Sequence, residues 1–396
     1  MEEAMLNRLK KSISFVLIII LLSTTAVFGD IDVSSDISAA ISGDVETGEI
    51  FYQHNIDQVV PIASTTKIMT YLVAKEAIEN GEVSENDKVI VSQYAADTKG
   101  SSFGLVPGEE ISFGTLIDII LIVSGNDAAV AIAEHVAGSE EAFVERMHET
   151  AERIGLTTAK FINPNGMPID LEETDQNFMS TRDLFELARY IIKNYPEVIE
   201  ITDRENLVLP ERNYEKAATN PLLPENEIVD GFKTGYTDKA GLCLISTAPV
   251  VIQEDENMNR RVLSVVMGAK SHSDRENKSM DLLEYGMYEF SKEKLISKDE
   301  AIDTIIIPNG KEMTLDVGTE NDYYHIVKKG SEFKTVINYD KYENLAPIST
   351  GDIVGEAEIY IDEELVDTLE IVSSRDVEKA GFFTRAFRYL RSLLYK

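Results

Sequence analysis

The sequence predicts an α/β (α+β) body, a small C-terminal all-β domain and a terminal amphipathic helix. Three observations predict it. Apolar residues recur at helical spacing between Ser64 and Asn194, then give way to β-branched runs from Gly241 to Ala269. Beyond about Ser291 the texture changes to short strand-like segments separated by turn residues. The last stretch, 375–396, carries six basic and two acidic side chains, against the charge of everything before it. The expected boundaries are therefore 1–29, 30–290, 291–374 and 375–396.

At the N-terminus, Arg8, Lys10 and Lys11 precede an apolar run from Ile13 to Leu22, followed by small and polar residues. This pattern is that of an export signal, with cleavage expected before Asp30. The alternative, an uncleaved anchor, is disfavoured because the run falls short of the roughly 20 residues a spanning helix needs. Ser64–Asn80 reads as the first helix, with Gly81 placed to end it. Thr115–Val123 is almost wholly apolar, the mark of a buried helix, and a break at 124–126 separates it from Asp127–Val136. Glu140–Ile154 and Thr181–Asn194 are further helices. Gly241–Ala248 and Arg261–Ala269 read as neighbouring strands, and Ser279–Phe290 as a closing helix.

In the C-terminal part, Thr304–Ile307, Glu312–Val317, Tyr323–Val327 and Glu356–Ile361 read as strands, with Pro308-Asn309-Gly310 as a hairpin turn. At helical spacing Phe383, Phe387, Leu390 and Leu394 share one face of the tail, and Arg385, Arg388 and Arg391 lie towards the other. Such a helix suits a membrane interface. Packing on the protein's own body is the alternative.

Of 396 residues, 43% are apolar and 27% charged, which are globular proportions. The net charge is −33. With +1 in residues 1–29 and +4 in 375–396, the body carries −38. Nucleic acid is excluded as a partner by repulsion from phosphates. An anionic membrane would hold the tail and repel the body. Cys243 is the sole cysteine, so one chain can form neither a disulfide nor a thiolate metal cluster.

Three short motifs carry the chemistry. In Ser64-Thr65-Thr66-Lys67 the hydroxyl and the amine stand one helical turn apart on a shared face, and a helix N-terminus suits a developing oxyanion. Alone, this motif is weak. It recurs at Ser291–Lys294 and Ser331–Lys334, and a cap followed by a surface lysine would explain it. Ser124-Gly125-Asn126 lies between two apolar helices. It reads either as a cap or as a hydroxyl that passes a proton beside an amide that holds substrate. Lys233-Thr234-Gly235 precedes the strand run. It reads either as a strand edge beside a turn or as a cleft cation, with a glycine that lets substrate backbone approach.

The order S-x-x-K, S-x-N, K-T-G is that of the penicillin-binding proteins and class A β-lactamases. With PIASTTKIMT, GSSFGLVPGE, IVSGNDAAVAIAEHVAGSEEAFV, FINPNGMP, STRDL and GFKTGYTDKAGLCLISTA, the chain resembles a low-molecular-mass penicillin-binding protein of the serine-type D-alanyl-D-alanine carboxypeptidase family. The resemblance implies the penicillin-binding/β-lactamase-like transpeptidase fold over 30–290. It implies hydrolysis of a terminal D-Ala–D-Ala bond in peptidoglycan stem peptides, and β-lactams as covalent inhibitors. Ser64 would be the nucleophile, Lys67 the base and Ser124 a proton relay. Asn126 would hold the acyl side, and Lys233 and Thr234 the terminal carboxylate. The backbone N–H groups of Ser64 and Tyr236 would form the oxyanion hole, and Arg275 in SDREN is the match for an arginine near the carboxylate. The expected location is the outer face of the cytoplasmic membrane, with peripheral anchoring. Many relatives have His or Thr at the position of Asn165.

A free lysine titrates near ~10.4, so a base at pH ~7 requires roughly 4–5 kcal/mol against its charged form. Burial and a nearby second cation, Lys233, could supply it. No cofactor or metal is expected. His54, His135, His148, His272 and His325 form no H-E-x-x-H motif and read as structural or surface residues. Cys243 reads as a small core residue. The competing functions are a β-lactamase, a non-catalytic wall-binding protein on the same fold, and an endopeptidase acting on cross-linked peptides. FINPNGMPID lacks the glutamate that would favour the first of these.

Overall fold

The computed structural model describes residues 16–18, 31–169, 175–224, 226–339 and 345–394. Apart from Val16–Ile18, the expected leader lies outside them. The chain divides into two compact units, Gly29–Glu289 and Phe290–Lys396, with Val16–Ile18 belonging to the second.

The larger unit is built on a five-stranded antiparallel sheet. Its spatial order is Gly231–Thr237, Gly241–Val250, Arg260–Ala269, Ala39–Asp44, Ile50–His54. Period-two alternation gives the sheet two faces. Ile41, Leu263 and Val265 join the main helical core with Phe185 and Ala188, whereas Ala40, Val266 and Leu282 form a separate cluster. Leu282 belongs to the helix His272–Glu289, which begins seven residues earlier than the sequence predicts. Its polar first turns (HSDREN) conceal the start.

The helix Thr181–Asn194 has the predicted bounds. Ser180 caps it by accepting from Asp183 N–H, and Leu184, Leu187, Ala188 and Ile191 recur on its buried side. Glu140–Arg153 likewise follows its pattern behind the Ser139 cap. Gly81 takes φ +71° after the first helix, as a C′ glycine should.

Two further predicted helices differ locally, both of them where the motifs are. Ser64 belongs to a 3₁₀ turn, Ala63–Thr66, and the α-helix starts only at Lys67. Ala63 stands at φ +47°, so the chain enters this turn from a left-handed residue. The apolar run splits into an α-helix, Phe113–Asp118, and a π turn, Ile119–Val123, that ends on Ser124 at φ +60°. The next helix, Asn126–Ala137, takes Gly125 as its N-cap with no side-chain cap bond. Capping by Ser124 or Asn126 therefore does not explain that motif.

The smaller unit is a β domain with a sheet ordered Phe333–Asn338, Ile353–Ile361, Glu364–Ser373, Thr314–Gly318, Asp303–Ile306. Val16–Ile18 pairs along the Phe333–Asn338 edge. A separate ribbon pairs Phe290–Ile296 with Tyr323–Lys328. Phe290–Ile296, Phe333–Asn338 and Glu364–Ser373 are strands the sequence pattern does not predict. Lys and Glu inside FSKEKLI and ELVDTLEIVS mask their alternation. The two spare S-x-x-K matches fall in this unit, away from any helix N-terminus. The tail forms a helix, Phe382–Leu394. Phe383 is 87% and Phe387 67% exposed, while Arg388 donates to the carbonyls of Pro308 (3.3 Å) and Gly310 (2.6 Å). The helix is thus held through its basic side, and its aromatic side is left uncovered.

Gly166 fixes the entry to the Ser64 turn. It has φ +84°, and a Cβ there would fall 1.9 Å from the Ala63 carbonyl oxygen. Gly166→Ala is expected to lose about 2–4 kcal/mol in urea unfolding, from overpacking and left-handed strain. An unchanged midpoint would show that this contact does not constrain the turn.

Candidate active site

The three motifs converge on one cleft of the larger unit. Ser64, Ser124, Asn126, Thr234, Tyr236 and Arg275 all line it, although they are up to 211 positions apart in sequence. Lys67 and Lys233 stand just behind its wall, both buried.

Lys67 Nζ lies 3.0 Å from Ser64 Oγ, 2.7 Å from Asn126 Oδ1 and 2.7 Å from the Asn165 carbonyl oxygen. Asn126 is oriented by its own amide, which donates to the Lys99 carbonyl (2.8 Å). Its oxygen therefore faces Lys67. Both polar ends of Asn126 are engaged, one of them on the lysine. Asn165, singled out for its side chain, meets Lys67 through its backbone, while its side-chain oxygen accepts from Met167 N–H (2.8 Å).

Burial drives the Lys67 amine well below the usual lysine range, and the Lys233 charge pushes the same way. A neutral amine has two hydrogens and one lone pair. Asn126 Oδ1 and the Asn165 carbonyl can only accept, so they take the two hydrogens. The lone pair is left for the one neighbour with a proton to give, the Ser64 hydroxyl.

Lys233 donates to Ser124 Oγ (2.9 Å) and to the Thr234 carbonyl (2.9 Å). Burial lowers its pKa to about 7. The left-handed turn at Ser124 delivers the hydroxyl to this amine. The glycine of the third motif lines the cleft and also meets the chain's own backbone. A Cβ on Gly235 would lie 3.2 Å from Ser64 N and 3.1 Å from Thr65 N. A side chain at this position would press on the backbone of the Ser64 turn, because the strand edge lies close against it. Tyr236 follows on this edge, with its ring at the rim and its hydroxyl on Asp238 (2.7 Å). Arg275 bonds Glu276 (3.0 Å) and approaches His272 (3.4 Å), while its Nε is buried without a hydrogen-bond partner.

Residues outside the motifs hold these groups in place. The Asp127 carboxylate accepts from Ser102 Oγ (2.7 Å) and from the N–H groups of Phe103 (3.0 Å), Gly104 (2.8 Å) and Leu105 (3.1 Å), organising the GSSFGL loop. Its signal was a lone acid in an otherwise apolar stretch. Asn177 donates to Thr66 Oγ1 (3.0 Å) and the Asn163 carbonyl (2.9 Å), tying FINPNGMP to the nucleophile turn. His148 accepts from Phe161 N–H (2.9 Å), and burial raises the Cys243 thiol to about 11, so both serve the scaffold.

Residues 27–271 match the family described as D-alanyl-D-alanine carboxypeptidase, and 290–379 that described as Penicillin-binding protein 5, C-terminal domain. The chain belongs to the D-alanyl-D-alanine carboxypeptidase family. This carboxypeptidase is 30% identical over 358 residues to D-alanyl-D-alanine carboxypeptidase DacF of Bacillus subtilis (strain 168), covering 89% of each chain. Among solved structures it resembles penicillin-binding protein 5 from Haemophilus influenzae, with a TM-score of 0.69 and 28% identity over 87% of this chain and 98% of that one. Penicillin-Binding Protein D2 from Listeria monocytogenes, solved in an ampicillin-bound form, matches with a TM-score of 0.54 and 31% identity, over 63% of this chain and 97% of that one. The carboxypeptidase's two buried lysines give a direct test. In a spectrum of ¹³C-labelled lysine ε-carbons, the Lys233 signal is expected to titrate near pH 7. Lys233→Met removes a like charge, so Lys67 should then titrate at higher pH than in the parent. A Lys67 value that stays or falls would contradict the coupling.

Proposed function

We propose that this cleft removes the terminal D-alanine from peptidoglycan stem pentapeptides through an acyl-enzyme on Ser64. The observation that carries the mechanism is the Lys67 contact set, which leaves a neutral amine only Ser64 as proton donor. Ser64 Oγ attacks the penultimate D-Ala carbonyl as its proton passes to Lys67 Nζ. The C–N bond then breaks, and the departing amine takes a proton from Ser124, which is resupplied by Lys233. A Lys233 pKa of about 7 suits an amine that gives up and regains a proton at neutral pH. Water then attacks the ester, its proton passing through Ser124 to Lys233, while Lys67 returns the first proton to Ser64 Oγ and the shortened peptide leaves as the acid.

The oxyanion is assigned to the N–H groups of Ser64 and Tyr236, supported by the close seating of Gly235 on the Ser64 turn. The terminal carboxylate is assigned to Thr234, Lys233 and Arg275. The place of Arg275 in the cleft lining supports this reading. Asn126 keeps Lys67 in place and meets the acyl side of a bound peptide. Penicillin, which also carries a carboxylate beside its reactive carbonyl, would acylate the same serine.

Residues 1–29 are proposed to direct export, and the tail helix to tether the enzyme to the outer face of the cytoplasmic membrane. No helix among the described residues is long and apolar enough to cross a membrane. The uncovered Phe383 and Phe387 beside arginines support an interfacial tether.

Ser64→Ala is expected to reduce D-alanine release from a pentapeptide by at least about 10³-fold. It should also abolish the covalent penicillin adduct that mass spectrometry finds on the parent's Ser64 peptide. Persisting release would remove Ser64 from its role. Independently, the mature chain should sediment with vesicles containing anionic lipid, and a chain ending at Ser374 should not. Equal binding would refute the tether.

A further inference from the structure

We propose that Thr219, outside the three motifs, is a positioning residue that aims the Thr234 hydroxyl at the substrate's terminal carboxylate. The inference rests on the assignment of Thr234 to that carboxylate. Thr219 follows the strand Tyr214–Ala217 and lines the cleft beside Thr234. Thr234 Oγ1 donates to Thr219 Oγ1 at 2.8 Å. Its proton is thus turned towards Thr219, and a carboxylate needs that proton. Rotating it outwards would leave the Thr219 oxygen without a donor, unless the Thr219 proton turns as well.

The surroundings of Thr219 make that exchange cheap. Its hydroxyl donates only a long bond, 3.4 Å, to the Ile122 carbonyl. The same carbonyl is already satisfied by the Thr219 backbone N–H at 2.9 Å. Thr219 can therefore release Ile122 and donate to Thr234, while Thr234 donates to the anion. The two hydroxyls become a chain in which each bond polarises the next. Thr219 thereby changes from acceptor to donor when a carboxylate engages Thr234. It also fastens the third motif to the second, because Ile122 lies in the π turn that ends on Ser124.

The test compares kcat and KM for D-alanine release by the parent, Thr219→Val, Thr219→Ser, Thr234→Val and the double valine variant. Thr219→Val removes the hydroxyl and keeps the shape. It should raise KM about three- to tenfold, the worth of one hydrogen bond, with kcat within about twofold. Thr219→Ser should restore KM to within about twofold of the parent. The double variant should match Thr234→Val alone, because with the Thr234 hydroxyl gone Thr219 has nothing to aim. Melting temperatures identify any variant that fails to fold, and Thr219→Ala then takes the place of valine. A parental KM in Thr219→Val while Thr234→Val raises it, or additive effects in the double variant, would overturn the role of Thr219. A parental KM in Thr234→Val would overturn the carboxylate assignment beneath it.

Discussion

The site depends on keeping an amine out of water. Lys67 is fully buried, and a charged ammonium in that position would forfeit several kcal/mol of hydration. Two carbonyl-type oxygens compensate the neutral amine well, because they accept both of its hydrogens. They would also accept from an ammonium, but they carry no full negative charge to offset one. The buried Asp127 nearby pulls the other way, favouring the ammonium, yet burial and Lys233 outweigh it. Asp127 is moreover already satisfied by the N–H groups of the GSSFGL loop. The same carboxylate thus builds the loop and stays a minor influence on the base.

The backbone is contorted at each place where a reacting hydroxyl must be presented. Ala63 precedes Ser64 in a left-handed conformation, and Ser124 itself adopts one. Such residues cost of order 1–3 kcal/mol each and persist only where the surroundings over-determine them. Here the surroundings are visible. Gly166 seats against the Ala63 carbonyl, Gly235 against the Ser64 and Thr65 nitrogens, and Asn177 against Thr66. Around Ser124, the π turn is wholly buried and Gly125 N–H bonds back to Ile119. A π turn inserts one residue into the helical count, which rotates the residues downstream of it. The left-handed Ser124 that follows ends the helix and brings its hydroxyl to Lys233.

This explains what could be read in the sequence and what could not. Thr181–Asn194 was legible to the residue because its cap, its apolar spacing and its burial agree. The three motifs were legible as a set because their order constrains one another. The π turn was not, since IILIV is equally compatible with an ordinary helix. Gly235 was read as admitting substrate backbone, and only the structure shows the Ser64 and Thr65 nitrogens close against the same position. Asn126 illustrates the same limit. Its amide could be read as a donor to substrate or as a cap, and only the Lys99 carbonyl reveals which end faces the lysine. Thr219 carried no local signal, because a threonine before a proline-containing loop has many uses. The strands Phe333–Asn338 and Glu364–Ser373 were missed for another reason. A thin sheet with one wet face admits charges that blur alternation.

The charge distribution makes specificity a matter of range. The body carries −38, yet the groups assigned to the substrate's carboxylate are cations or hydroxyls set into the cleft wall. Charges farther apart than about 8 Å are largely screened at physiological ionic strength, while buried groups are screened far less. An anionic peptide approaching from a distance meets a repulsive but screened surface. Under the proposed assignment its C-terminus, on entering the cleft, would meet Lys233, Thr234 and Arg275 at low dielectric, where their attraction counts for most. An internal carboxylate farther along the same strand gains nothing from them. On that proposal a free C-terminal acid is recognised by its depth of entry, and the scissile carbonyl one residue away is carried to Ser64 by the same step.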